Sequence, residues 1–193
     1  MSTAIEKLTL EEYLKLEQRT GQRHEYQHGE VTPMVGGSRV HAQIILQVGG
    51  TLHRRLTGSG RHVYTSDMRL FAQKSEKYTF PDVVVPDEPP QFIKPVDTLT
   101  NPLLIVEVLS PSTATYDRTE KFDLYTESPS FREYLLVSQH TVRIEQFVRQ
   151  PNEKWERSVT TDPESEIQLA TIDCKLAVAD VYADVDFSQA KVK

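Results

Sequence analysis

Three groups of residues in this chain have the types and spacings that support chemistry. The first is His24-Glu25-Tyr26-Gln27-His28, which spells H-E-x-x-H. On a helix that pattern sets two imidazoles on one face to hold zinc and leaves the glutamate as general base. The second is a pair of carboxylates in apolar runs. Asp82 follows Pro81 and opens Val83-Val84-Val85, and Glu107 lies inside LLIVEVL (103–109). The third is Asp117, Lys121 and Tyr125, which at i, i+4 and i+8 fall on one face of a helix.

The zinc reading fails on its surroundings. Gly21 and Gly29 enclose a short polar stretch in which only Tyr26 could anchor a helix. Read as extended chain, His24 and His28 stand roughly 13 Å apart, too far to share an ion. The next histidine, His41, comes only after further glycines and a proline. The segment reads better as an extended stretch from Arg23 to Val35 that turns at His28-Gly29.

The acidic pair is harder to dismiss. On a strand Glu107 shares a face with Ile105 and Leu109, and both faces of its run are apolar, so the strand should be central. A carboxylate there is costly unless it meets a cation, a metal or water at an edge. Asp82 alone would merely open a strand or turn. Two carboxylates on neighbouring buried strands form a site for a hard divalent cation that keeps several waters, and the Val108 backbone carbonyl could add an oxygen. Lys121 would reach over the end of the Glu107 strand while Asp117 and Tyr125 hold it. The plain alternative is an exposed Asp117–Lys121 pair worth a fraction of a kcal/mol. Ser110 and His41 are candidates to support the site; the plain alternatives are a capping hydroxyl and a satisfied structural histidine.

The elements that must position these groups can be traced along the chain. Thr9 and Glu12 spell a capping box for a helix that Gly21 stops. A second helix runs from about Ser38 to Leu56, its buried stripe marked by Val40, Ile44, Ile45, Val48 and Leu52. Strand-like runs follow at 62–72, 78–86 and 103–110, the last two separated by a proline-bearing connection, 86–102. A helix at 116–128 is stopped by Pro129, and strands at 132–138 and 141–150 turn at Gln139-His140. A short strand near Ile167–Ala170 and a helix near Val178–Ala183 complete the tail. The order helix, three strands, helix, strand, decorated at both ends, makes an α/β sandwich with a mixed sheet. One domain over residues 1–193, with a core at about 38–150, is the expectation.

Composition bounds the function. The net charge of −6 argues against a general nucleic-acid coat protein. The charge is uneven, with 11 basic against 8 acidic residues in 1–80 and 11 against 20 in 81–193. Arg54, Arg55 and Arg61, in HRRLTGSGRH (53–62), form the most basic stretch; they could meet phosphates or be plain solvated surface. The single cysteine, Cys174, excludes an internal disulfide and a cysteine-rich zinc site. No apolar run is long enough to cross a bilayer and the N-terminus lacks a signal-peptide pattern, so a cytoplasmic location is expected.

Taken together, FPDVVV (80–85), PLLIVEVLSPST (102–113), YDRTEKFDLY (116–125) and SFREYLLVS (130–138), after HEYQHGE (24–30) and His41, resemble the Uma2 family. The likeness runs from the EEYL helix to the VADVYAD tail. The family is abundant in cyanobacteria and is assigned to the PD-(D/E)xK nuclease-like superfamily, which implies a restriction-endonuclease-like core. The resemblance makes Asp82 the PD aspartate and Glu107 the (D/E), both metal ligands. Leu109 stands where the lysine of the motif is expected, and Lys121 on the following helix matches the family's displaced lysine. Glu25 matches the glutamate of a YELxxGE-like segment and is a possible further ligand, although here the aromatic residue follows it as Tyr26, with His24 in the preceding position.

The resulting expectation is an endonuclease that uses Mg2+ or Mn2+ at Asp82 and Glu107 to hydrolyse phosphodiesters of nucleic acid, DNA above all. Lys121 would orient water or steady developing charge. The rival is a nuclease-fold module that binds or regulates without cutting; a third reading is a hydrolase of another phosphoester. A homodimer is expected from the prevalence of twofold symmetry among soluble oligomers.

Overall fold

A computed structural model describes residues 7–34, 36–111 and 113–190. Val35 of the expected extended stretch, Ser112 of PLLIVEVLSPST, the first six residues and the last three lie outside them.

In chain order the N-terminal part comprises α1 (Leu10–Thr20), β1 (His24–Gln27), β2 (Glu30–Pro33) and α2 (Arg39–Leu56). The Thr9–Glu12 capping box opens α1, and Gly21, at φ 65°, closes it in the left-handed conformation that glycine adopts without a Cβ clash. His28 (φ 50°) and Gly29 (φ 90°) form the positive-φ turn that matches strand twist in a two-residue hairpin. The H-E-x-x-H residues therefore lie on a hairpin rather than a helix. Ser38 caps α2 through its side chain.

Next come β3 (Tyr64–Thr65), β4 (Arg69–Ala72), β5 (Lys77–Thr79), β6 (Val83–Pro86), β7 (Phe92–Ile93), β8 (Thr98–Leu99) and β9 (Pro102–Leu109). The runs expected as single strands at 62–72 and 78–86 are each divided. The first breaks at a turn in which Met68 N–H returns to Thr65 C=O, 2.8 Å. The second breaks at Pro81, which has no N–H to give a ladder. In each case the two halves join different sheets. The connection 86–102 carries β7 and β8, too short to announce themselves by alternation.

The chain continues with α3 (Ala114–Arg118), α4 (Glu120–Thr126), β10 (Glu133–Ser138), β11 (Ile144–Arg149), β12 (Trp155–Thr160), β13 (Glu166–Leu169), β14 (Cys174–Ala177) and α5 (Val178–Val181). The helix expected at 116–128 begins earlier and is interrupted at Thr119, whose φ −120° and ψ −89° are not helical.

Two six-stranded sheets result, ordered β2-β1-β5-β4-β8-β7 and β12-β11-β10-β9-β6-β3, beside a β13–β14 hairpin. Both large sheets are mixed: β9 runs parallel to β10 and antiparallel to β6, and β4 runs parallel to β8. The expected order of helix, three strands, helix and strand is met by α2, β3, β6, β9, α3–α4 and β10. All eight residues of β9 are buried, as its unbroken apolar spelling required. On one face, Val83, Val106 and Leu135 pack under α2, β14 and α5. On the other, Val84, Ile105 and Leu136 pack against Leu124 and Tyr125 of α4 and against Leu70 and Leu99 of the first sheet. Among the described residues no helix is long and apolar enough to cross a membrane.

Candidate active site

The site forms where β6 and β9 meet α4. The antiparallel register Val84↔Ile105, Val83↔Val106, carried one residue further, sets Asp82 opposite Glu107. Pro81 ends the preceding strand there, so Asp82 leaves the ladder while keeping its place beside β9. Its Oδ2 accepts the Val108 backbone N–H at 2.7 Å. Glu107 points to the face of Ile105 and Leu109, as the alternation requires, and is 3% exposed.

Lys121 meets Glu107 from α4. Its Nζ is 2.8 Å from Glu107 Oε1 and 3.7 Å from Asp117 Oδ1, with all three side chains buried. The Tyr125 hydroxyl donates to the same Glu107 oxygen at 2.6 Å. Tyr125 was expected to hold the lysine; it holds the glutamate instead. The spacing of Asp117, Lys121 and Tyr125 still converges on one point, although Thr119 breaks the helix between the first two.

Electrostatics follow from burial and these partners. Burial pushes the Glu107 carboxyl up to about 8, with the Lys121 charge acting in the opposite direction and Asp82 and Asp117 adding to the rise. Burial acts to discharge Lys121, but Glu107, Asp117, Glu25 and Asp82 outweigh it and raise its pKa, so the lysine keeps its charge. Burial likewise lifts Asp117 above the ordinary aspartate range against the pull of Lys121.

His41, in the first turns of α2, brings Nε2 to 3.3 Å from Asp82 Oδ2. Burial depresses its pKa, but hydrogen bonding and charge from Asp82, with the Val108 backbone and Asp117, give a net rise. Glu25, on β1, accepts from the Thr79 hydroxyl through Oε1 and from the Tyr116 hydroxyl through Oε2 at 3.0 Å, and Lys77 Nζ is 3.1 Å from Oε2. Lys77 also donates to the Tyr116 hydroxyl. Burial works to raise the Glu25 pKa, but Lys121, Thr79 and Lys77 leave it below the ordinary value.

Lys77, Thr79 and Tyr116 were not read from the sequence. Lys77 reaches Glu25 only because β5 pairs with β1, Gln27↔Lys77, fifty residues away in the chain, and no local periodicity signals that pairing. Ser110 takes part in the turn into α3, where its hydroxyl lies 3.0 Å from that of Thr113 and accepts the Thr113 N–H.

Arg54 and Arg55 are not brought to the site. They lie on the last turn of α2, about 20 Å from His41 along a helix rising 1.5 Å per residue. Arg61 lies beyond the same end. A cleft of about 420 Å3 opens beside His41 and Asp82, walled by Gly21–Arg23, Gly36, Gly37 and Ser66.

Asp82 and Glu107 suit a hard cation in part. Asp82 takes its described bonds through Oδ2 and Glu107 through Oε1, leaving the opposite oxygens for an ion. Four carboxyl groups, Glu25, Asp82, Glu107 and Asp117, gather here with Lys77, Lys121 and His41 as their basic partners. Among the described residues no three His, Cys, Asp or Glu side chains are grouped so as to hold a metal by themselves, so an ion here would need backbone and water oxygens to complete its shell, as Mg2+ favours.

Comparison with known proteins agrees with this architecture. A model of the Uma2 family, described as "Putative restriction endonuclease", matches residues 10–179. Two uncharacterized proteins of Synechocystis sp. are similar. One, slr1290, is 34% identical over 96% of this chain and 97% of its own length; the other, sll1609, is 34% identical over 84% and 93%. The crystal structure of "a putative nuclease belonging to DUF820" from Anabaena variabilis ATCC 29413 superposes with a TM-score of 0.67 at 16% identity, covering 95% of this chain and 99% of that one.

Proposed function

This chain belongs to the Uma2 family, and from that premise we propose that it is a divalent-metal-dependent nuclease cutting phosphodiester bonds of nucleic acid, DNA being the intended class. The observation that carries the proposal is the buried Glu107 with Lys121 Nζ at 2.8 Å, next along β9 to the Val108 N–H that Asp82 Oδ2 accepts. A carboxylate pair inside an apolar sheet is expensive to keep, and a family of nuclease-like fold gives it a use.

Asp82 and Glu107 would hold Mg2+ or Mn2+, with the Val108 carbonyl as a further oxygen. When bound, the ion polarises a phosphodiester and makes water a nucleophile at neutral pH. The side chains do the rest. His41 and the Val108 N–H fix the Asp82 carboxylate, and Tyr125 fixes Glu107. Lys121, kept charged by its acidic neighbours, orients the attacking water or steadies charge on the phosphoryl oxygens. Glu25, with three donors already on its two oxygens, is assigned to steadying Lys121 rather than to ligating the ion. Arg54, Arg55 and Arg61 could touch only a distant flank of a long duplex. The net charge of −6 implies weak, salt-sensitive binding to bulk DNA.

The test is calorimetric titration with Mn2+ of the wild type and of folded Asp82→Ala and Glu107→Ala, followed by a nuclease screen with Lys121→Ala as control. Saturable binding lost in both variants, with cleavage lost in the lysine variant, supports the reading. A wild type that binds no Mn2+ refutes it. One observation favours a second reading, a module that binds nucleic acid without cutting: Lys121 and Tyr125 already satisfy Glu107. Salt-dependent DNA binding that survives Glu107→Ala, in a protein that takes no Mn2+, would select it. The proposed active unit is a homodimer, which light scattering of the purified chain would check.

A further inference from the structure

Three arginines from three parts of the chain meet on one carboxylate. Glu145 of β11 accepts from Arg118 of α3 through Oε1 at 2.8 Å and from Arg157 of β12 through Oε2 at 2.7 Å. Each of these arginines adds a second bond through Nε, so paired donors meet both carboxylate oxygens. Arg143, two residues before Glu145, adds only a contact of 3.4 Å through Nε. Arg157 also lies over the Phe147 ring, 5.9 Å from its centroid.

Arg118 and Arg157 already satisfy Glu145, so the third arginine needs another reason. The side chains of Arg118, Arg143 and Arg157 are 37%, 38% and 49% exposed, whereas that of Glu145 is 3% exposed. The anchor is therefore inside and the cations face water. Neither Nη of Arg143 has an acceptor among the described residues, and neither is buried. Arginine stays charged. Burial opposes ionisation of Glu145, but Arg118 and Arg157 hold its carboxyl down to about 2. Three cations on one anion leave two positive charges at this surface, on a chain whose net charge is −6. Among the described residues the three arginines form no other ion pair, and Glu156, beside Arg157 on β12, takes the opposite face. A fixed group of guanidinium forks with open N–H donors suits phosphate oxygens.

The sheet register places this surface beside the candidate active site. Glu107 of β9 pairs with Leu136 of β10, and Leu136 pairs with Glu145 of β11, so the two glutamates take the same face two strands apart. That is about 10 Å, over which one DNA strand advances about three phosphates at roughly 3.4 Å each along its axis. Arg118 directly follows Asp117, whose carboxylate is 3.7 Å from Lys121, so α3 serves both places. We propose that Arg118, Arg143 and Arg157 bind the phosphate backbone of DNA about three nucleotides from the bond held at Glu107, with Glu145 as the anchor that aims them. Setting a reacting bond beside this site rests on the nuclease reading. The grip of the arginines on a DNA backbone does not.

The experiment uses the full chain without divalent metal, so nothing is cut. Binding of a fluorescein-labelled DNA duplex of about 12 base pairs, roughly 40 Å long, is followed by anisotropy over a salt series. The proteins are the wild type, Arg143→Gln, the double variant Arg143→Gln/Arg157→Gln, and Arg54→Gln/Arg55→Gln, which removes the same charge as the double variant from the end of α2. Arg143→Gln spares the four bonds that Arg118 and Arg157 make to Glu145, so it decides the matter even if the double variant melts early. The expected result is a loss of about threefold to tenfold in Arg143→Gln at low salt, with the slope of log K against log salt reduced by about 0.9, the value of one phosphate contact. The double variant should lose about twice that slope, and Arg54→Gln/Arg55→Gln should keep the wild-type slope. No binding by the wild type, or an unchanged slope in Arg143→Gln, overturns the proposal. An equal loss in Arg54→Gln/Arg55→Gln also overturns it, because net charge alone would then explain the effect. The Mn2+ titration is run in parallel. DNA binding that the arginine changes weaken, in a protein that takes no Mn2+, would sink the nuclease reading and leave the backbone site standing. Mn2+ binding and cleavage in a protein whose DNA affinity ignores the arginine changes would do the reverse.

Discussion

Replacing Lys121 by methionine tests the central contact most directly. The substitution keeps an apolar chain of similar length in the buried position but removes the ammonium 2.8 Å from Glu107 and 3.7 Å from Asp117. Removing one partner of a buried pair costs about 3–5 kcal/mol, because the other charge stays uncompensated. Glu107 has a means of relief, since burial already holds its carboxyl up to about 8. Near neutral pH it takes a proton, so the loss should fall at the lower end, about 3 kcal/mol. The direction with pH then follows. A carboxyl whose folded pKa lies above its unfolded value contributes its stability fully below the unfolded value and loses it as pH rises through the folded one. Without Lys121 the folded pKa of Glu107 moves higher still. Above pH 8 the wild type stops losing stability through this group while the variant continues, and the deficit widens by about 1.4 kcal/mol per pH unit. Urea unfolding at pH 6.5, 8 and 9, with and without Mn2+, measures all of this. If the ion occupies the Asp82–Glu107 gap, it replaces the missing charge and stabilises the variant by about 2.7 kcal/mol at a hundredfold excess over its Kd. A variant within about 0.5 kcal/mol of wild type at all three pH values would refute the buried contact.

Two further outcomes are expected. Glu145, on β11, is 2% exposed and accepts from Arg118 at 2.8 Å and Arg157 at 2.7 Å, with Arg143 at 3.4 Å. Burial opposes its ionisation, but the two close arginines hold its carboxyl down to about 2. Its contribution is therefore present above the ordinary glutamate range and is lost as pH falls towards 2. Because the arginines are more than one-third exposed, solvent screening reduces the effect to about 2 kcal/mol, and Glu145→Gln should flatten acid unfolding by that amount. Glu25→Gln should keep Mn2+ affinity within about threefold while lowering kcat at least tenfold, a change of about 1.4 kcal/mol or more in the barrier; loss of Mn2+ binding would make Glu25 a ligand.

Much of this site was legible because its residues contradict their surroundings. Glu107 interrupts an apolar strand, and the strand alternation alone says which face it takes. Asp82 was visible because it opens Val83-Val84-Val85 after Pro81 and makes a second carboxylate beside that of Glu107. Lys121 came from the family resemblance, supported by its helical spacing from Asp117 and Tyr125, and it still meets Asp117 although Thr119 breaks the helix between them. Other features carried no local trace. The division of 62–72 and 78–86 between two sheets depends on which partners the halves find, and alternation is the same in either sheet. Strands β7 and β8 span two residues each, less than one period of pattern. Lys77 and Tyr116 look like ordinary polar residues until β1 and β5 pair.

The distribution of the site over two sheets and the helices between them bears on synthesis. Glu107 belongs to one sheet, with Asp82 just before its strand β6, whereas Glu25, Lys77 and Thr79 belong to the other, and the bond from Tyr116 to Glu25 spans 91 residues. Contacts so distant in sequence pay a large loop-closure cost and form late in folding. A chain growing from its N-terminus has both acidic strands before α3 and α4 exist, so for that interval Glu107 has neither its lysine nor its tyrosine. Its carboxyl must then stay in water or carry a proton. Closure of the site thus waits on completion of the helices, and a ribosome-held fragment ending before α3 lacks both groups that meet Glu107.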